Sequence, residues 1–287
     1  MKSGGEQLSV KWRYDAGRGA LVWQLMFTQT GDLVGQKRFA ATRRSLFFSV
    51  DTRTGHVFSD DYLLMDQFHP VSAGDGWFTG LETTLRNLVY CYAYQSQSPE
   101  HQGIWALDMR HGRVEWSRQD IVFSANLDHE FLVYKRSVFG GFPERHFWLI
   151  DPFTGMDIRP LGIDSVVVNA IREGVAAEEE RQQVILPEFV TEGMAVERLA
   201  LQRSGLSDTA RAECIVHGEL TVAALHEPGD WSGTWHSFLK VWRDDRLIYA
   251  DAMEENVDKP CLNNFLIQSD NLYYIKKKEE LVCVALS

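Results

Sequence analysis

The stretch GIWALDMRHGRVEW, Gly103 to Trp116, reads as an apolar strand, a tight turn and a second strand closed by a tryptophan. Asp108 can accept backbone N–H bonds within the turn, and Gly112 supplies a positive φ. Two other stretches repeat the pattern. LFFSVDTRTGHVF carries Asp51 and Gly55, and HFWLIDPFTGMDI carries Asp151 and Gly155. Each is a strand, Asp-x-x-x-Gly, and another strand, so the repeat is a hairpin with a local mechanism.

The second half of the chain is more diverged. SFLKVWRDDRLIYAD has the same outline with Arg243 in the Asp place, and LYYIKKKEELVCVAL is a further hairpin ending near Leu286. MAVERLALQRSG supplies a candidate strand and turn with Leu201 at the matching place. Asp51, Asp108, Asp151, Leu201, Arg243 and Leu286 recur at steps of 42 to 57 residues. A period in the forties fits one four-stranded propeller blade. The six marks predict an all-β fold, a β-propeller of six four-stranded blades. Five blades are the alternative if the mark at Leu201 is set aside. AIREGVAAEEERQQ (170–183) is charged and reads as an inserted loop or short helix. The last blade supplies only three strands, near CLNNFLI, NLYYIKK and LVCVAL; LSVKWRY near the N-terminus supplies the fourth. This closure of the ring removes open sheet edges and predicts a single domain over 1–287.

With 45% hydrophobic and 24% charged residues, the 287-residue chain can bury a sizeable core. A net charge of -11 argues against nucleic acid and against an anionic membrane surface as partners. Cys91, Cys214, Cys261 and Cys283 form no CxxC pair, so no zinc site, metal or cofactor is expected. Cys91 and Cys283 lie in apolar strand-like runs and read as small buried hydrophobes. MKSGGEQLSVKW lacks the apolar core of a signal peptide, and no apolar run is long enough for a membrane span. The expectation is a soluble, cytoplasmic monomer.

In an up-and-down blade, the b–c and d–a connections emerge on one face. The predicted b–c loops QSQSPEHQG, SVFGGFPERH and HEPGDWSGTWH are long, as is the connection DDYLLMDQFHPVSAGDGW. They bring forward a candidate rim for a ligand or partner: Asp75, Trp77, His101, Phe142, Arg145, Trp231 and Trp235. The innermost strands carry Asn126, Asn169, His217 and Asn264, which are expected to line a central channel. Other patterns carry less. DHE (128–130) and HE (226–227) lack metal-ligand spacing and read as turn residues. GDWSG lacks the spacing of a nucleophile elbow, and KKK (276–278) reads as a solvated turn.

The strands around Ala106, Leu107, Asp108, Gly112 and Trp116 resemble the repeats of quinoprotein-type (PQQ-like) propellers. IDPFTG and VDTRTG match in part, and the likeness is lost in the second half. Eight blades of such an enzyme need roughly 360 residues, more than this chain has. The whole order, ending in NNFLIQSDNLYYIKKKEELVCVAL, is similar to a small bacterial propeller family catalogued as a domain of unknown function (number 4905). That resemblance implies a propeller from a bacterium and assigns no activity.

Two functional readings follow. The first is a scaffold that engages a protein or peptide through its loop-rich face. The second is a binder of a sugar or sugar-acid, or a hydrolase or lactonase-like enzyme, with its site at the channel mouth. No catalytic constellation decides whether the protein is an enzyme.

Overall fold

A computed structural model describes residues 7–94, 100–191, 194, 197, 201–202 and 211–287. The chain divides into two compact units, Gly19–Glu178 and Met1–Arg18 with Glu179–Ser287. The first strand, β1 (Val10–Asp15), belongs to the latter.

Unit Gly19–Glu178 contains three consecutive four-stranded antiparallel meanders. The first is β2 (Leu21–Phe27), β3 (Asp32–Phe39), β4 (Arg44–Asp51) and β5 (Val57–Tyr62). The second is β6 (Thr79–Leu85), β7 (Leu88–Ala93), β8 (Gln102–Asp108) and β9 (Arg113–Arg118). The third is β10 (Val122–Asn126), β11 (Phe131–Phe139), β12 (Phe142–Ile150) and β13 (Asp157–Gly162). In each, the third and fourth strands are joined by the Asp turn. Asp51 Oδ1 accepts from the N–H groups of Arg53 and Thr54, Asp108 Oδ1 from Arg110 and His111, and Asp151 Oδ1 from Phe153 and Thr154. Gly55, Gly112 and Gly155 close the turns at φ 76, 64 and 68.

Trp116 belongs to the packing of this unit. Its indole N–H donates to the Pro152 carbonyl at 2.8 Å, and the Tyr90 hydroxyl donates to the same oxygen at 2.9 Å. A Cβ at Gly155 would come within 2.7 Å of the Trp116 ring. The closing tryptophan of one meander therefore rests on the Asp turn of the next, over a core of Leu85, Tyr90, Ile104, Phe131 and Ile150.

The 170–183 insertion is helical: α1 (Ser165–Glu173) is followed by α2 (Glu178–Arg181). Asp164 caps α1, accepting from Val166 and Val167 N–H. Val168 is buried against Ala125, Leu132 and Leu149.

The other unit holds two sheets. In one, β14 (Val184–Ile185) lies on the edge beside β20 (Phe265–Gln268), β21 (Asn271–Lys276) and β22 (Glu280–Ala285), and β1 completes it by pairing with β22. The N-terminal strand thus joins the C-terminal sheet, as the chain-end reading expected. The other sheet runs β15 (Glu188–Phe189), β16 (Ala212–His217), β17 (Leu220–Pro228), β18 (Trp235–Arg243) and β19 (Arg246–Val257). Their core includes Val222, Leu239, Val241, Phe265, Tyr274 and Val282. In MAVERLALQRSG, Glu197, Leu201 and Gln202 are helical rather than extended and Met194 is in neither helix nor strand; the other residues of that stretch lie outside the described residues.

Candidate functional site

In unit Gly19–Glu178, Asp75 and Trp77 lie between β5 and β6, His101 lies just before β8, and Phe142 and Arg145 lie in the third meander. β11 and β12 pair without interruption up to Phe139 and Phe142. The expected loop SVFGGFPERH is therefore an extended hairpin, because Gly140 and Gly141 at φ 58 and 86 make a two-residue turn that matches strand twist. Phe142 and Arg145 sit on β12 and not in a loop. The hairpin tip is apolar and unshielded: Val138, Phe139 and Phe142 are 74%, 73% and 75% exposed.

Below the tip, two arginines close on one carboxylate. Arg136 Nη2 lies 2.6 Å from Glu100 Oε2, and Arg145 Nη2 lies 2.8 Å from Glu100 Oε1. Arg136 also donates to the His101 carbonyl at 3.2 Å. The fork stands at a cavity of 600 Å³ whose walls include Phe147, Ser165, Asn169 and Arg172. Its lining carries three arginines, Arg136, Arg145 and Arg172, against Glu100 and Glu144. In a chain of net charge -11 this is a local basic concentration. Arg172 has no side-chain partner among the described residues.

His101 stacks on Tyr92 with ring centroids 3.5 Å apart and planes 7° apart, and its Nδ1 lies 2.7 Å from Glu82. Trp77 is one face of an arginine sandwich: the Arg38 guanidinium carbon is 5.3 Å from its ring and 4.8 Å from Trp23. Burial pulls the Arg38 pKa below its ordinary value. Asp75 lies in a one-turn 3-10 segment, Ala73–Gly76, at φ 54, exposed beside Gly74.

Trp231 and Trp235 belong to the other unit, at the β17–β18 connection. Trp231 is exposed, with its carbonyl accepting from Thr234 Oγ1 at 2.8 Å. Trp235 begins β18 and carries the Arg211 guanidinium over its ring at 4.2 Å. Asp230 accepts from Asn256 and faces His236, which holds its carboxyl below the usual range.

The four residues assigned to innermost strands differ in setting. Asn126 is buried on β10, its Nδ2 donating to Thr83 Oγ1 and the Thr84 carbonyl. Asn169 is not on a strand: it is an exposed position of α1 and lines the arginine cavity. His217 is exposed at the end of β16, opposite Leu220 across a tight turn. Asn264 is buried, and its Nδ2 has no partner among the described residues.

One buried chain was missed by sequence reasoning. Ser237 Oγ lies 2.9 Å from His226 Nδ1, and His226 Nε2 lies 3.3 Å from Glu213 Oε2. Glu213 Oε1 accepts from Asn263 N–H at 2.8 Å. His226, read as a turn residue, is instead on β17 between β16 and β18. Ser–His–Glu is the residue order of a hydrolase relay. Here the side chains of His226 and Glu213 are only 1% and 3% exposed, and Ser237 is 1% exposed. A buried hydroxyl meets no substrate, so the chain ties three strands together.

Cys91, Cys214 and Cys283 are buried and Cys261 is half-buried, all as free thiols. Burial pushes Cys214 and Cys283 up to about 12. Among the described residues, no group of three or more His, Cys, Asp and Glu is placed to hold a metal ion, and no helix is long and apolar enough to cross a membrane.

Known proteins add the following. Residues 28–116 match a family described as Domain of unknown function (DUF4905), a segment from the end of β2 to within β9. No curated protein matches the sequence. Among solved structures, the chain is similar to an acylaminoacyl peptidase from Pyrococcus horikoshii at 12% identity and a TM-score of 0.32, covering 92% of this chain and 37% of that one. It is similar to the β-propeller domain of the Trilobed protease from Pyrococcus furiosus at 10% identity and a TM-score of 0.31, covering 94% and 71%. It is also similar to the AfRom2 CNH domain at 10% identity and a TM-score of 0.29, covering 98% and 99%. The chain thus spans little more than a third of the peptidase's length. The family match runs from β3 to within β9 and contains two of the six marks read from the sequence, Asp51 and Asp108.

Proposed function

We propose that the sheets are blades of a β-propeller and that the protein is an interaction module for an acidic, partly apolar peptide segment of a partner. One observation carries this reading: the Glu100 carboxylate held between Arg136 and Arg145. The chain's own carboxylate displays the chemistry that the fork accepts, with Arg172 still to be paired. The apolar tip of Val138, Phe139 and Phe142 stands next to it and offers dehydration energy to neighbouring apolar side chains. Two exposed arginines recognising a carboxylate give orientation more than affinity, and the aromatic anchors give affinity.

Fluorescence anisotropy with a labelled peptide of alternating Glu and Leu tests the reading, against the same peptide with Gln for Glu. The acidic peptide should bind, more weakly as salt rises, and Arg145→Ala should weaken it while the Gln peptide binds poorly to both. Equal binding of both peptides by wild type and Arg145→Ala would overturn it. A second reading is favoured by the 600 Å³ volume of this open cleft, which suits a small ligand. Binding of glucuronate, lost in Arg145→Ala, with no binding of the peptide would shift the function to a sugar-acid site.

A further inference from the structure

The three meanders of unit Gly19–Glu178 share an irregularity in their first strands. The register of β2 slips at Trp23, that of β6 at Glu82 and that of β10 at Ser124. A bulge breaks the ladder locally and re-aims the side chain it carries. Two of these three side chains support one band of cationic and aromatic groups. Trp23 lies against the Arg38 guanidinium, and Glu82 lies 2.7 Å from His101 Nδ1.

Arg38 is the uncompensated charge of this band. It is half-buried between the rings of Trp23 and Trp77, at 4.8 and 5.3 Å. Its Nη2 donates to the Thr79 carbonyl at 3.3 Å, and its Nε is enclosed. Nη1, neither enclosed nor hydrogen-bonded among the described residues, is the nitrogen left to a ligand. No carboxylate among the described residues pairs with Arg38, whereas Arg136 and Arg145 share Glu100. A partly desolvated cation that faces only π clouds and a carbonyl gains more from an anion than a solvated one does.

The band runs on to the arginine fork. Tyr92 and Tyr94 are within electrostatic reach of Arg38. Tyr92 stacks on His101, whose carbonyl accepts from Arg136. The first and second meanders share one core, and the second and third share another. Sheets packed face to face lie about 10 Å apart, so Arg38 and the fork, two meanders apart, stand about 20 Å from each other. An extended chain covers that distance in about six residues. We propose that the acidic segment held at the fork continues along this band and places a second carboxylate on Arg38. The partner is then an extended peptide with two acidic residues about six positions apart. This rests on the fork being a carboxylate site. The net charge of -11 disfavours a polyphosphate on the same band.

Fluorescence anisotropy with three labelled versions of the alternating Glu–Leu peptide tests the proposal. Gln replaces every Glu but one, every Glu but two that are six residues apart, or every Glu but two that are two residues apart. The two-acid peptides carry equal charge and differ only in spacing. On wild type the six-apart peptide should bind about fivefold more tightly than the two-apart peptide, the effect of one further ion pair. Arg38→Gln should bring the six-apart peptide down to the two-apart value. If Arg38→Gln does not fold, the two peptides on wild type decide alone. Equal binding of both by wild type, or a six-apart preference that survives Arg38→Gln, would overturn the proposal. The fork reading would still stand if Arg145→Ala weakened the single-acid peptide; a single-acid peptide indifferent to Arg145→Ala would sink both. Tighter binding of a labelled oligothymidylate than of any peptide would also overturn the proposal.

Discussion

The Ser237–His226–Glu213 chain makes the sharpest stability prediction, because the same residues would be catalytic if they were accessible. Ser237→Ala removes the partner of His226 Nδ1 and leaves a buried ring nitrogen unpaired. An unsatisfied buried polar group costs about 1–3 kcal/mol. Glu213→Ala orphans two groups, His226 Nε2 and Asn263 N–H. Its expected cost is about 2–6 kcal/mol on the same scale. Urea unfolding followed by tryptophan fluorescence reads both, with Trp242 on β18 as the local reporter. With a slope of about 2 kcal/mol/M, Ser237→Ala should lower the midpoint by roughly 0.5–1.5 M. A fluorophosphonate, which labels activated serines, should leave wild-type Ser237 unmodified. A wild-type midpoint in Ser237→Ala, or labelling at Ser237, would refute a purely structural role.

Three other outcomes follow from the geometry. Gly35→Ala should destabilise by about 1–3 kcal/mol, because its Cβ would fall 2.0 Å from the Phe48 ring on the neighbouring strand; a thermal melt unchanged from wild type would contradict this. Asp151→Ala should cost about 1–2 kcal/mol by freeing two turn N–H groups, whereas Asp151→Asn, which keeps an acceptor oxygen, should cost less in the same melt. Arg118 hydrogen-bonding holds Asp120 down at about 2, from 3.8. The stability linked to this depressed group is fully present above its unfolded pKa and is lost as pH falls through its folded pKa, so wild type and Asp120→Asn should converge between about pH 4 and pH 2. Asp120 is half exposed, so the gap to be lost is small; a gap independent of pH would contradict the assignment.

The Asp turns were legible because every part of them is local. Asp and Gly four apart determine the turn, and the apolar strands on either side announce themselves. The pairing of β1 with β22 was legible for a different reason: a three-stranded remainder at one end needed a partner from the other. The arginine fork was not legible. Arg136 and Arg145 are partners across a hairpin, but Glu100 precedes β8, and no spacing in the sequence marks that it reaches them. Nor was the Glu213–His226–Ser237 chain, which exists only through the pairing of β16, β17 and β18. Asn169 is expected on a strand, and the β-branched residues of VVVNA favour one there. Asp164 capping and burial of Val168 override that propensity. Phe142 is expected in a loop because SVFGGFPERH holds two adjacent glycines and a proline; the two glycines instead make a two-residue hairpin turn.

The most direct test of the account is the affinity of Glu100→Gln for the alternating Glu–Leu peptide, measured by anisotropy beside wild type. Glu100 occupies the fork that a partner carboxylate would take, and releasing it frees both arginines. An exposed ion pair of this kind is worth up to about 1 kcal/mol, so the peptide should bind roughly fivefold more tightly to Glu100→Gln. Unchanged or weaker binding would contradict the claim that the Arg136–Arg145 fork is a carboxylate-recognition site.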